Sequence, residues 1–187
     1  MDFIEDLEAA LASPQPIERA LALTIAHLKA ESGTVHLLRE DGVLHLTASQ
    51  GIPDVVLQIV QRVPVGKGMA GLAVERAQPI NACNIQTDAS GDVRPGAKKT
   101  GMEGAIVVPM MKDDRATGAL GVANRSERTF TEEEIATLEV GAQLVEQSPS
   151  RERAVALHRP QDGHRLADAR VQRAMLGRAG RQLDQPR

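Results

Sequence analysis

Residues 66–71 read Gly-Lys-Gly-Met-Ala-Gly and stand directly ahead of an apolar run, Leu72-Ala73-Val74. A glycine loop that enters a helix can aim backbone N–H groups at an anion, and Lys67 would add charge. The loop is not a P-loop, because no Gly-Lys-Ser/Thr closes it. Nor does a parallel βαβ unit surround it, as a dinucleotide fingerprint requires. Tight turning and close backbone approach account for Gly68 and Gly71 without a ligand. Cys83 is the only thiol. A reactive cysteine needs a neighbour that lowers its pKa. Ala82 and Asn84 carry no charge, so only the fold could bring Lys67, Arg94 or Lys98 to it. The histidines are His27, His36, His45, His158 and His164, and no pair has the i, i+4 spacing of a helical metal site. His36 and His45 could face each other across a hairpin, but a third ligand is missing. Helix capping accounts for Glu132-Glu133-Glu134, and a turn accounts for Asp113-Asp114. The sequence thus assigns no catalytic residue and no metal ligand, and it specifies no cofactor.

Composition narrows the partners. The 187 residues include two Phe and neither Tyr nor Trp. The core must be aliphatic, and little is available to stack a nucleic-acid base. The net charge of -3 is uneven. Residues 148–187 hold nine Arg against four acidic residues, +5, which leaves -8 for residues 1–147. An Arg-rich tail on an acidic body can be an interaction segment. A single cysteine excludes an intrachain disulfide and fits a reducing compartment. No apolar run approaches the roughly 20 residues of a membrane span, and the acidic N-terminus is unlike a signal peptide. The expectation is a cytoplasmic protein that binds neither membrane nor nucleic acid.

The elements that would position these residues follow from periodicity. Phe3, Leu7, Ala10 and Leu11 predict a helix over 2–12. Pro16 suits the first turn of a second helix, whose face is Ile17, Leu21, Thr24 and Leu28. Thr34–Arg39 and Val43–Ser49 predict strands joined by an Asp41-Gly42 hairpin. Alternation in the second strand places Leu44, Leu46 and Ala48 on one face. A helix is predicted over Asp54–Gln61 and a short one after the glycine loop. An extended piece follows over Pro79–Cys83, then a long polar loop over 84–103, functional or mobile. Ala105–Met111 and Ala116–Ala123 predict strands, with a bulge or an unpaired position at Pro109. Thr131 and Glu134 form a capping box ahead of a stripe of Ile135, Leu138, Ala142 and Val145. Ser148-Pro149-Ser150 marks an edge, and a tail helix is predicted over about His164–Ala179. This order implies an α+β fold, a mostly antiparallel sheet with helices segregated to one face.

In this order, several segments resemble the GAF domain family over about residues 16–147. They are Glu31-Ser32-Gly33-Thr34-Val35, the Asp41-Gly42 hairpin, Ala48-Ser49-Gln50-Gly51-Ile52-Pro53 and Val63-Pro64-Val65-Gly66-Lys67-Gly68-Met69-Ala70-Gly71. Pro79-Ile80, Asn84-Ile85 and Asp88 follow, then Val108-Pro109-Met110, Gly118-Ala119-Leu120-Gly121-Val122, and Asn124-Arg125 with Phe130-Thr131-Glu132-Glu133-Glu134. The resemblance implies a central antiparallel sheet of about six strands with terminal helices packed on one face. It divides the chain into an N-terminal helix over 1–15, a sensor domain over 16–147, and an Arg-rich tail over 148–187, partly helical or disordered. Asn124-Arg125 and Phe130 resemble a signature of cyclic-nucleotide-binding members. A strand end and a hydrophobic staple explain the same residues structurally.

The resemblance places any pocket between the sheet and the elements covering it. Its candidate walls are Met69, Leu72, Ala73, the Pro79–Asn84 strand with Cys83 and Asn84, the loop to Met102, and inward residues of Ala105–Met111, with Val107 among them; the alternative is that these residues simply fill the core. The expected function is a small-molecule-sensing or regulatory signalling module, not an enzyme. It would bind an unidentified small molecule and act through a homodimer or a signalling protein partner, because residues 148–187 are too few for an output domain. The dimer would pair an apolar stripe left over on 3–11 with part of 135–145. One alternative is an enzyme resembling the free methionine sulfoxide reductases of the family, using Cys83 with an external thiol. Another is an interaction adaptor with a filled pocket.

Overall fold

The computed structural model describes residues 2–156. Two helices open the chain, α1 (Phe3–Leu11) and α2 (Pro16–His27), followed by the hairpin β1 (Ser32–Leu38) and β2 (Val43–Gln50). Then come α3 (Asp54–Val60), β3 (Arg62–Pro64), α4 (Gly68–Arg76), β4 (Ile80–Ala82) and α5 (Pro95–Lys98). A second long hairpin, β5 (Ala105–Lys112) and β6 (Arg115–Ala123), leads to α6 (Glu132–Gln147) and α7 (Pro149–Ala156). The six strands form one sheet in the order β3-β2-β1-β6-β5-β4, and every pairing is antiparallel. The expected sheet with helices on one face is therefore present. β3, α5 and α7 are additions that periodicity did not predict, since the first two are only three and four residues long.

Local chemistry sets the ends of these elements. Pro16 sits in the first turn of α2. Thr131 Oγ1 accepts from the Glu134 amide at 3.2 Å and Glu134 accepts from the Thr131 amide at 2.9 Å, so both halves of the capping box form. Asp41 Oδ1 accepts from the Val43 amide at 3.1 Å and closes the first hairpin.

The helical face is a single apolar core. Leu7, Leu21 and Ile25 meet Val35, Leu37, Ile106, Val108, Met110 and Leu120, and Leu138, Ala142 and Val145 close the layer. The stripe on α1 is used within the fold, because Leu7 is fully buried. The large apolar side chains left exposed on the outer helices are Ile4 and Val140. α7 continues this layer: Ala154 and Val155 pack on the core, and the Arg39 guanidinium donates to their carbonyls. Glu146, buried, pairs with Arg151 at 2.7 Å and accepts from the Thr117 hydroxyl at 2.6 Å. The compact unit accordingly runs to Val155, so α1 lies within it and Ser148-Pro149-Ser150 is an internal link between α6 and α7. The predicted tail helix lies outside the described residues.

Two strand expectations change. The β1–β2 register pairs Val35 with Ala48 but His36 with Leu46, with a bulge in between. The extra residue, Thr47, reverses the alternation. Ala48 therefore faces the helices, while Leu44 and Leu46 face the other side. The same reversal separates His36, opposite Leu46, from His45, opposite Leu37, so the two histidines lie on opposite faces and form no metal clip. At Pro109 the register is regular, opposite Ala119, and the irregularity follows between Met110 and Met111. The Asn124 amide donates to Gly104 O; by ladder alternation, residues 105, 107 and 109 turn their backbone groups away from β6. β4 pairs only with 105–107, so the nitrogen of Pro109 points past its end and no ladder bond is lost.

Candidate ligand cavity

The second face of the sheet is built differently. Instead of one core it carries three small clusters. Leu44, Val63, Val74 and Ala119 form one; Leu72, Ala73 and Ile80 form another; Ala82, Ile85, Val93, Met102 and Ala105 form the third. The segment 84–103 is not a loose loop. Gln86 Nε2 donates to the carbonyls of Lys98 and Met102, Arg76 holds Asp92 through two bonds of 3.1 Å, and Val93 and Met102 are buried.

Between the clusters lies a cavity of about 160 Å³. Its floor is Thr34 and His36 of β1, its inner wall is Val63 with Met69 and Ala70 of α4, and its cover is Ile59 and Val60 of α3 with Arg94, Gly96 and Ala97 around α5. The cover is close-fitting, since a Cβ on Gly96 would stand 2.8 Å from Ile59 Cγ2. The glycine loop sets the wall. Gly68 has φ +61°, a conformation costly for any residue with a side chain. A Cβ on Gly71 would lie 2.3 Å from Pro64 O. Both glycines are thus required by turn geometry and close approach. The amides of Gly66 and Lys67 donate to Gly71 O and Pro64 O, so two donors of the supposed anion cradle are engaged within the loop.

His36 ties floor to cover. It is 3% exposed, and its Nε2 lies 2.8 Å from Val60 O. A carbonyl only accepts, so Nε2 carries the proton. Burial pushes the His36 pKa below its usual value, opposed by the bond to Val60, and the ring is neutral with a lone pair on Nδ1. That nitrogen is buried without a hydrogen-bond partner among the described residues.

Of the wall residues expected by name, Met69 lines this cavity. Leu72 and Met102 are buried in the flanking clusters, and Val107 packs beside Leu72 and Ala119. Asn84 Oδ1 accepts from the Gln86 amide in a local turn. Cys83 is exposed. Arg94, Gly96 and Ala97 come from the loop to Met102 that the sequence offered as a wall, and the residues that sequence reasoning missed include Thr34, His36, Ile59, Val60 and Val63. Thr34 and His36 were signalled by polar residues alternating with Val35 and Leu37; the other three come together only in the tertiary fold. Asn124 and Phe130 lie away from the cavity. Asn124 Nδ2 donates to Lys29 O at 3.1 Å, and Phe130 is buried in the helical core under Arg128, whose guanidinium carbon is 4.4 Å from the ring centroid. Arg128 also bonds Leu28 O, Lys29 O, Asn124 and Glu134. Among the described residues no His, Cys, Asp and Glu cluster could hold a metal, and no helix is long and apolar enough to cross a membrane.

A family model for the GAF domain matches residues 13–148. The chain belongs to the GAF domain family. Solved GAF structures share the fold. The GAF domain of a phosphoenolpyruvate-protein phosphotransferase from Acinetobacter is 19% identical, with a TM-score of 0.69 over 82% of this chain and 94% of that one. The corresponding domain from Coxiella burnetii is 23% identical, with a TM-score of 0.67 over 81% of this chain and 93% of that one. A free methionine-R-sulfoxide reductase from Neisseria meningitidis, solved with its substrate, is 19% identical with a TM-score of 0.66, covering 80% of this chain and 87% of its own. At such identities the likeness concerns the GAF fold alone. No protein of curated function matches the chain.

Proposed function

We propose that this GAF domain is a small-molecule-sensing regulatory module whose ligand occupies the cavity between β1 and the α3–α4–α5 cover. The observation that carries this reading is the cavity itself, floored by Thr34 and His36 and covered by α3 and α5, with the cover tied to the floor through His36 Nε2 and Val60 O. Thiol chemistry at this cavity is less well supported, since Cys83 does not line it. The test is thermal unfolding of the full chain with a set of small metabolites, beside Ala97→Leu, which places side-chain bulk in the cavity. At a hundredfold excess over Kd a bound ligand stabilises by about 2.7 kcal/mol. A rise in Tm that Ala97→Leu abolishes supports the reading, and no rise with any compound sinks it.

The output we propose is self-association through α1 and α6, where Ile4 and Val140 are each 41% exposed. Light scattering of Ile4→Glu/Val140→Glu against the parent chain checks this. The parent is expected as a dimer and the variant as a folded monomer.

A further inference from the structure

We propose that the cavity takes a small aliphatic monocarboxylate, its carboxylate at Arg94 and Thr34 and its apolar end against Ile59, Val60, Val63 and Met69. This deepens the function proposed above and rests on it.

Size sets the first limit. A cavity of about 150 Å³ accommodates benzene, six heavy atoms, and this one is about 160 Å³. A nucleotide or a tetrapyrrole would have to extend well beyond it. Shape and chemistry set the second. The imidazole of His36 is the aromatic ring among the lining residues, and both Phe residues pack with the helical face. The apolar walls are branched aliphatic side chains and a methionine, which fit a short branched chain.

Charge sets the third limit. Arg94 is a cation among the lining residues, and no Asp or Glu is among them. Its stem lies over Gly68, where a Cβ would be 2.9 Å from Arg94 Cδ. Its guanidinium has no ion-pair partner among the described residues, unlike Arg76 on Asp92 or Arg62 on Asp41. A free guanidinium is matched to a carboxylate in charge and in fork geometry. The Thr34 hydroxyl makes no hydrogen bond to a described residue and can donate to the same group. An ammonium finds no counter-charge, which separates a carboxylic acid from the corresponding amino acid. His36 sets the orientation. Its Nε2 proton is held by Val60 O, and Nδ1 carries a lone pair, so the ring has nothing to offer a carboxylate. The anion therefore lies on the Arg94 and Thr34 side of the cavity, and the hydrocarbon lies against Ile59, Val60, Val63 and Met69.

The experiment is isothermal titration calorimetry of the full chain with 3-methylbutanoate, 3-methylbutanamide and valine. The acid should bind at least tenfold more tightly than either of the others. Arg94→Gln, at an exposed side chain, should weaken the acid at least tenfold and leave the amide unchanged. Thr34→Val should weaken the acid severalfold. Equal affinity for acid and amide, or an acid affinity untouched by Arg94→Gln, overturns the proposal. If the amide binds as tightly as the acid and Ala97→Leu abolishes both, the charge assignment is wrong and the sensing cavity stands. If none of the three binds and the metabolite set raises no Tm, both readings fail together. If none binds but another metabolite raises Tm in an Ala97-dependent way, only the carboxylate class is refuted.

Discussion

The two faces of the sheet solve the same covering problem with different materials. On one face three helices, α1, α2 and α6, bury a continuous aliphatic layer with Leu7, Leu37, Ile106 and Leu138 at zero exposure. On the other, short helices and turns cover the sheet in patches, with glycines at the tight points and a histidine and a threonine beneath. On the helical face the apolar stripes form one continuous cluster. The other cover is assembled from α3, α4 and α5, the last of only four residues, and leaves space where the pieces meet. The lesson is that the cavity arises from how the cover is divided as much as from residue type.

The sharpest way to break this comparison is to open a hole in the closed face. Leu120→Ala, at 1% exposure under α6, should cost about 2–5 kcal/mol in chemical denaturation. A loss below about 1 kcal/mol would mean that the helical layer is looser than its burial implies. Next comes the loop that holds the patchwork face. Gly68→Val forces a β-branched residue to φ +61° and drives its side chain into the Arg94 stem, for a loss of about 1–3 kcal/mol. Unchanged stability would show that the loop is not held in this turn.

A matched pair then compares the two faces directly. Ala142→Leu adds bulk at a fully buried site in the helical core and should cost about 1–3 kcal/mol by overpacking. Ala97→Leu adds the same bulk beside the cavity and should stay within about 0.5 kcal/mol of the parent. Equal losses by thermal unfolding would deny the cavity its free volume.

The last effect concerns protons. Burial lowers the His36 pKa below the ordinary 6.5, so the unfolded chain binds this proton at a higher pH than the folded one. Stability is complete above pH 6.5 and is lost as pH falls from there toward the folded value, by at most about 1.4 kcal/mol per pH unit. Denaturation at pH 7.5 and 5 should show this loss for the parent, and His36→Gln should reduce it. An identical pH dependence in the variant would place the titration elsewhere.

What was legible in the sequence was what neighbours in sequence decide. Thr131 and Glu134 are three residues apart and cap one helix, and Asp41-Gly42 closes its hairpin from within. Pro16 begins α2 because its own ring fixes φ. The Thr47 bulge was not legible, because its cause is the pairing of β2 with β1. Leu46 and Ala48 look like neighbours on one face until that pairing is known. The cavity suffered more. Met69 was reached because it follows the glycine loop and Arg94 only as part of a long loop, whereas Ile59 and Val60 are brought to the cavity by the path of α3. Arg128 shows the same limit. Nothing within its own segment announces that it will bond the end of α2, more than ninety residues earlier.

The Pro109 position has a consequence for how this protein behaves in a crowd. A sheet invites growth wherever a strand offers a free row of donors and acceptors to another chain. Here both outer strands are three residues long, and β3 ends at Pro64, which has no N–H to give. The stretch of β5 beyond Val107 presents Pro109 where an incoming strand would seek a donor. A would-be partner strand at these edges meets a gap after a few bonds, which works against edge-to-edge growth there.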